Sequence, residues 1–512
     1  MPQTLAGKEP WPRFKGTEDA LVLCAGRTSA TADLLAIGSQ SRLQVLQVLP
    51  RLAPHYGRAN EGEAEGDDRM RRGEASGARF AVPESLIRFD VEAPVTAIAW
   101  SPVAVGPLPV AEHLGSDDGK GGMRIEVAAA LEDGRVVVFS HSAGQTTSLA
   151  LGQVSGRVNS LDWLNVGDIS YLAAAQANGT LTIWTLEPTE DEDDVRDGQD
   201  DQPGILAREP HIVRQAFTYP FPLLTAAFHP HATGTLLVLD AAGSLRMLDW
   251  LDPTLSSRTN KASSLGSSLT ARKLRAQHTF VDPRAYSNAR SIGRGGGAVA
   301  SGSATNAFTR STQSGSASWK PQDENVVGAL IDGRWSIWDS RTSAGNGLPV
   351  EQGESYPERG GDGFKWCPTN AQLFMTFSTA SNSAASNGTS QGAGSSFGAA
   401  EDYPLTIYDR SSLTLSGAPR RISNSELLPY EIRVSSAFHG IPAKTGQLGA
   451  SAGGGVVKGE RVRDAEWVGS TLGGGVRSGG IGAGGAGGGL GDVVAVAMGR
   501  EVVFVSLALN RN

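Results

Sequence analysis

Cysteine is scarce in this sequence. Only Cys24 and Cys367 occur among 512 residues, which is too few for a disulfide framework and fits a reducing compartment. Long apolar runs are also missing: no stretch approaches the roughly 18 apolar residues of a membrane span, and residues 1–16 lack the apolar segment of a signal peptide. The sequence therefore predicts a soluble intracellular protein, in which the N-x-T matches at Asn178 and Asn387 are not glycosylation sites.

An excess of positive charge is absent as well. Lysine and arginine together number 45 against 53 acidic residues, which gives a formal net charge of −8. Nucleic acids and anionic membranes attract basic surfaces. The balance therefore predicts no direct nucleic-acid partner and no membrane insertion.

The residue patterns that usually carry catalysis are missing or out of context. The eight histidines are scattered, without metal-ligand spacing, and no two carboxylates suggest a paired acid and base. Ser390 matches the G-x-S-x-G motif of hydrolases, and glycines 482, 484 and 487 match a dinucleotide fingerprint. Both motifs require a flanking strand and helix, whereas these lie in Ser/Asn/Gly/Ala tracts. We predict no enzyme activity, no catalytic, cofactor-binding or metal-binding residue, and no small-molecule substrate.

One clear signal is the segment from Val326 to Arg341, VVGALIDGRWSIWDSR. Two β-rich runs joined by Asp332-Gly333 predict a hairpin with a type I′ turn. The second run ends in Trp338-Asp339, as the last paired strand of a WD40 propeller blade does. We interpret Asp332 as a turn residue and Asp339 as a strand-end residue.

The same hairpin pattern recurs along the chain. Gly follows Asp133, Asn178, Ala242 and Met498 at the other predicted turns. In one unit Tyr408-Asp409 replaces Trp-Asp, and Asp409 is predicted to end its strand as Asp339 does. Before each hairpin a strand ends in an aromatic residue, the first unit being the least clear. These aromatic residues, which we expect to fill the gaps between neighbouring blades, are Trp100, Trp163, Phe228, Trp319, Trp366 and Trp467. His229, next to Pro230 at such a strand end, is predicted to be structural.

Seven units predict an all-β fold, a seven-bladed WD40-type β-propeller that forms a single domain over residues 1–512. The predicted blades span residues 18–50, 90–140, 156–187, 221–251, 318–341, 362–410 and 461–509. The predicted insertions span residues 51–84, 187–215, 251–318, 379–402, 411–460 and 469–490. Within them, an acidic run at 187–201 and a basic run at 251–318 are read as solvated loops, although pairing with each other or with partners stays open.

The ordered set of units resembles one WD40 family. Residues 95–102 (VTAIAWSP), 179–187 (GTLTIWTLE), 221–251 and 326–341, followed by FKWCP at 364–368, DAEW at 464–467 and a final hairpin, are similar to the 37-kDa WD40 nucleoporin of the nuclear-pore Y-complex. The resemblance implies a non-enzymatic scaffold subunit at the nuclear envelope that docks on the large short-arm nucleoporin of that complex. It does not identify the partner-binding residues, which stay unknown.

Two alternatives stay open. A WD40 adaptor or substrate receptor in a ubiquitin-ligase, chromatin or trafficking complex has the same fold. A propeller hydrolase or oxidoreductase would need carboxylates, histidines or a metal converging at the central channel. No such constellation is recognisable in the sequence.

Overall fold

The computed structural model describes ten stretches of the chain. They are residues 13–50, 81–104, 123–188, 210–251, 274–282, 314–354, 363–377, 405–421, 462–468 and 493–506, with short gaps at residues 29–30, 32, 143, 322, 332, 369 and 414–418. Most of each predicted insertion lies outside these residues, as do Asp332, Asn387, Ser390 and the glycines at 482–487.

Seven four-stranded antiparallel sheets contain every strand that the structure describes. The first strand, β1 (Arg13–Lys15), belongs to the seventh sheet. Blade 1 is β2 (Val22–Ala25), β3 (Leu34–Gly38), β4 (Arg42–Pro50) and β5 (Ala81–Asp90). Blade 2 is β6 (Val95–Trp100), β7 (Arg124–Leu131), β8 (Arg135–Ser142) and β9 (Gln145–Gln153). Blade 3 is β10 (Val158–Val166), β11 (Ile169–Gln176), β12 (Thr180–Glu187) and β13 (His211–Thr218).

The second half of the chain repeats this organisation. Blade 4 is β14 (Leu223–Phe228), β15 (Thr235–Asp240), β16 (Ser244–Asp249) and β17 (Arg275–Val281). Blade 5 is β18 (Gly315–Trp319), β19 (Val326–Ile331), β20 (Arg334–Asp339) and β21 (Glu351–Glu354), with the short helix α1 (Ser340–Ser343) after β20. Blade 6 is β22 (Gly363–Trp366), β23 (Leu373–Phe377), β24 (Leu405–Leu413) and β25 (Pro419–Arg421). Blade 7 is β26 (Val462–Val468), β27 (Val493–Met498) and β28 (Glu501–Ser506), completed by β1.

The first strand of each blade is its innermost strand, and these strands form a closed ring. Each of β2, β6, β10, β14, β18, β22 and β26 contacts the next, and β26 contacts β2. Buried clusters join neighbouring blades; Trp163 and Trp184 of blade 3, for example, pack with Ala97 and Ala128 of blade 2. The fold is therefore a seven-bladed β-propeller, which confirms the predicted fold class.

Pairing between the two ends of the described chain completes blade 7, of which β1 is the outermost strand. β1 pairs with β28 through Arg13↔Val503, Phe14↔Val502 and Lys15↔Glu501. No sequence pattern predicts this strand, because its three residues are too few to show a period.

The hairpin turns differ in part from the prediction. The hairpin of the Val326–Arg341 segment pairs Ile331 with Arg334 across two residues, and Gly333 has φ +75°. This agrees with the predicted two-residue turn. At Gly134, Gly179 and Gly243 the glycine N–H bonds the carbonyl three residues earlier, with φ between +82° and +86°. That geometry is the three-residue loop, not the predicted two-residue type I′ turn. In the last hairpin the turn is Gly499-Arg500 rather than Met498-Gly499.

The outermost strand of most blades lies wholly or partly in a segment for which the sequence predicts an insertion or no strand. β17 lies inside the predicted basic linker, β25 lies inside the predicted insertion 411–460, and β5 and β13 begin inside predicted insertions. β9 lies between two predicted blades. Outer strands such as β9 and β17 are mostly solvent-exposed, so they lack the apolar alternation that predicts a strand.

Candidate functional site

The inner-strand ring carries a set of polar and charged contacts that cross from one blade to another, and it is taken as the candidate functional site. Its first component is the set of aromatic residues that end the inner strands. Four indole Nε1–H groups donate across to a backbone carbonyl of the preceding blade. These bonds run from Trp100 to Cys24 (2.8 Å), Trp319 to Ala227 (3.1 Å), Trp366 to Ser318 (3.2 Å) and Trp467 to Lys365 (3.3 Å). The aromatic residues therefore link blades by hydrogen bonds as well as by packing.

Trp163 and Phe228 depart from this pattern. Trp163 Nε1 donates to Asn165 Oδ1 of its own strand at 3.1 Å, and Phe228 has no N–H on its ring. A different hydrogen bond joins their strands, β10 of blade 3 and β14 of blade 4. The Phe228 backbone N–H donates to Asp162 Oδ2 at 2.7 Å.

Side chains of the inner strands also accept backbone N–H groups of the following blade. Besides Asp162, the acceptors are Thr225 Oγ1 for Ala317 N (3.1 Å), Ser316 Oγ for Phe364 N (2.6 Å) and Asp464 Oδ2 for Leu23 N (2.8 Å). The last of these bonds joins blade 7 to blade 1 across the closure of the ring.

Two ion pairs lie at the same strands. Arg27, in the loop after β2, has Nη1 2.6 Å from Asp162 Oδ1, so this contact reaches from blade 1 to blade 3. Lys365 of blade 6 has Nζ 2.5 Å from Glu466 Oε2 of blade 7. The Arg27 side chain is 69 % exposed, whereas that of Asp162 is 6 % exposed. Water therefore reaches the guanidinium but hardly reaches the carboxylate.

Burial and the neighbouring charges shift the pKa values of the charged inner-ring residues. The Asp162 carboxylate raises the pKa of Arg27, and burial raises the pKa of Asp162 against the opposing effect of Arg27. Burial lowers the pKa of Lys365, but Glu466 and Asp464 outweigh it, so the pKa is raised. Burial also raises the pKa of Asp464 to about 6, with Lys365 opposing.

Cys24 lies among these charges but is a poor nucleophile. Burial raises the pKa of its thiol to about 12, and Glu466 adds to the effect. Because the thiolate is the reactive form, the thiol is unreactive near neutral pH. Cys24 and Cys367 are both free.

A small cavity opens beside Arg27. It measures about 50 Å³ and is lined by Cys24, Arg27, Thr31, Trp100 and Asp162, among others. Drug-sized ligands occupy clefts of roughly 300–1,000 Å³, so this cavity has room only for a few water molecules.

The residues that the sequence analysis interpreted as structural have structural contacts. His229 is buried, accepts the backbone N–H groups of His231 (3.0 Å) and Ala232 (2.6 Å) at Nδ1, and has Nε2 3.0 Å from the Glu324 carbonyl. The ring is therefore neutral, and burial lowers its pKa. Asp339 ends β20 and caps α1 by accepting Arg341 N at 2.9 Å.

The turn residues are held in the same local way. Asp133 accepts Arg135 N at 3.0 Å, and Asn178 accepts Thr180 N at 3.0 Å. For Asp409 the structure describes the backbone, which pairs with Leu373 and Arg420; β24 continues past it to Leu413. The predicted strand end at Asp409 is therefore wrong.

The charged inner-strand residues are not among the residues predicted from the sequence. A usable signal was present, because Asp162, Lys365 and Glu466 each stand immediately before an inner-strand tryptophan. Adjacent strand residues point to opposite sides. An inner strand lies between two neighbouring inner strands of the ring, so a charged residue directly before a buried tryptophan faces the other blade and indicates a contact across that junction.

Two further observations concern the described residues only. They contain no group of three or more His, Cys, Asp or Glu residues arranged to hold a metal ion. No helix among them is long and apolar enough to cross a membrane.

No protein-family model matches the chain, and the search of curated proteins found no match either. A chain of the crystal structure of a mitotic checkpoint complex is similar, with 12 % identity, 83 % of this chain and 87 % of that chain covered, and a TM-score of 0.37. The class of the protein follows from its strand order and closed ring: it is a seven-bladed β-propeller.

Proposed function

We propose that this propeller is a non-enzymatic scaffold subunit of the outer-ring Y-complex of the nuclear pore, located at the nuclear envelope. It docks there on the large nucleoporin of a short arm and supports nucleocytoplasmic transport. The observation that carries the proposal is the ordered set of blade motifs, from VTAIAWSP at 95–102 to the final hairpin.

The use of the inner-strand charges supports a scaffold role. Asp162 and Glu466 each pair with a cation, and Asp464 accepts two backbone N–H groups at 2.8 Å. These groups are engaged in joining blades, and a rigid propeller offers broad surfaces to protein partners. Fold alone does not determine which partner is bound.

The alternative is a WD40 adaptor or substrate receptor in a ubiquitin-ligase, chromatin or trafficking complex. The two functions differ in the proteins that co-purify. The test is to tag the full chain at its genomic locus, purify it under mild salt and quantify its partners by mass spectrometry, with an untagged strain as control. We expect stoichiometric recovery of Y-complex nucleoporins. Recovery of a ligase, a chromatin complex or a vesicle coat without nucleoporins would overturn the proposal.

A further inference from the structure

The outer edges of the seven blades differ in how they are protected. An edge strand exposes unpaired backbone N–H and C=O groups, and proteins shield such edges by shortness, charge or proline. β1 and β25 have three residues each, and β21 has four, two of them glutamates. β5 contains Pro83, Glu84 and Arg88, whereas β13 and β17 contain Arg214 and Arg275 respectively.

β9 has none of these devices. Its sequence, QTTSLALGQ, is nine residues long and contains no charged residue and no proline. Residues 145–148 and Ala150 are exposed. Within the described part of the chain, β9 pairs only with β8, so its outer edge has no strand partner there.

The pairing register shows which backbone groups point outward. Ser142 pairs with Gln145 across a two-residue turn that contains Gly144, φ +79°. The residues that flank such a turn form a hydrogen-bonded pair, and the pattern then alternates along the strand. Thr146, Ser148 and Ala150 therefore direct their N–H and C=O groups away from β8, at intervals of about 6.8 Å.

Contacts with blade 3 define the end of this open edge. The register shifts after Ala150, and the carbonyls of Leu151 and Gln153 accept Trp184 Nε1 (3.1 Å) and Arg214 Nη1 (2.9 Å). The regular part from Gln145 to Ala150 is left as an uninterrupted six-residue edge.

We propose that the β9 edge, residues 145–150, binds an extended segment of a partner protein, which adds a fifth strand to blade 2. Only an extended backbone matches donors and acceptors at this spacing. The exposed neighbours are threonine, serine and glutamine, which favours an uncharged segment rich in threonine and β-branched residues, because such pairs stabilise adjacent strands.

The size of the edge favours a peptide segment over a second copy of this chain. Six residues span about 20 Å, and contact along one strand edge falls far short of the roughly 1,200 Å² that stable protein interfaces bury. A short segment needs no larger interface, since its main-chain hydrogen bonds supply much of the affinity.

The test uses the full-length protein and a random twelve-residue peptide library displayed on phage. We expect selection of uncharged, β-branched peptides, and fluorescence anisotropy of a labelled selected peptide should give a micromolar Kd. Ser148→Pro removes one outward N–H and leaves the pairing with β8 intact, so it should weaken binding at least tenfold. Ser148→Ala keeps that N–H and is the matched control, with binding unchanged.

Folding of each variant is checked by circular dichroism and thermal melting. If Ser148→Pro does not fold, Thr146→Pro takes its place as the test variant, because it removes another of the three outward N–H groups of the open edge. The proposal is overturned if no peptide is enriched, if the proline variants bind as well as the wild type, or if light scattering shows a homodimer that the proline substitution dissociates. In the last case the edge serves a second copy of the chain.

Discussion

Asp162 is the residue at which two contacts between blades meet. One carboxylate oxygen accepts Phe228 N of blade 4, and the other pairs with Arg27 of blade 1. Replacing Asp162 by alanine leaves the buried Phe228 N–H without its acceptor, which costs about 1–3 kcal/mol. Replacing Arg27 by alanine keeps the Phe228 hydrogen bond, and water can take the place of the guanidinium, which is already 69 % exposed, so the loss should be smaller.

We therefore predict that Asp162→Ala lowers the free energy of unfolding more than Arg27→Ala does. Urea denaturation followed by tryptophan fluorescence measures both values. Equal losses, or a larger loss for Arg27→Ala, would show that the ion pair rather than the backbone contact joins these blades.

Asp464 gives the closure of the ring a dependence on pH. Its pKa is raised from 3.8 to about 6 in the folded protein. A group with a raised pKa contributes stability that is fully present below its unfolded pKa and is lost as pH rises through the folded value. Acidification from pH 7.5 to pH 5 should therefore raise the free energy of unfolding of the wild type relative to that of Asp464→Asn. The asparagine side chain does not titrate, so the variant lacks this contribution.

The expected change is about 1 kcal/mol in the difference between the two free energies of unfolding. Measuring wild type and variant at both pH values removes the contribution of other groups, His229 among them. A difference that is the same at pH 7.5 and at pH 5 would contradict the raised pKa.

At the scale of the element, the sequence was informative wherever one side of a strand is buried. The inner strands and hairpins show apolar runs, glycine turns and terminal aromatic residues, so the blades and their number could be predicted. The outer strands could not, because their polar side chains face water, as in RAQHTFV of β17. A charge directly before an inner-strand tryptophan indicates that Asp162 makes a contact between blades. The groups that Asp162 and Asp464 contact lie on other blades, far away in the sequence, and no local pattern identifies them.

The three-residue strand β1 has a role out of proportion to its length. β1 covers the edge of β28, and Phe14 packs against the cluster shared by blades 7 and 1. Deleting residues 1–15 removes this strand and should cost on the order of 2 kcal/mol through lost apolar burial and backbone hydrogen bonds. Hydrogen exchange should accelerate at residues 501–503.

The matched control is the double substitution Arg13→Thr and Lys15→Thr. It alters side chains on both sides of Phe14 and keeps the backbone pairing, so exchange at residues 501–503 should stay slow. An unchanged urea midpoint in the deletion variant would mean that β1 does not stabilise blade 7 and the propeller.

For the whole molecule, the contacts of the inner ring explain how seven blades, separated along the chain by long intervening segments, form one closed ring. Aromatic indoles, carboxylates and hydroxyls link one blade to the next, and Asp464 completes the circuit at Leu23. Such a ring suits a scaffold, because it keeps its outer surfaces in fixed relative positions. The β9 edge is one of those surfaces, and its occupant can be tested separately from the Y-complex proposal.

Reconstitution of the proposed complex measures directly whether this propeller docks on the large short-arm nucleoporin. The full-length chain and the large short-arm nucleoporin of the Y-complex are purified separately, mixed at micromolar concentration, and analysed by size-exclusion chromatography with light scattering. We predict a 1:1 complex that persists at physiological salt. Separate elution of the two proteins at these concentrations would contradict the account.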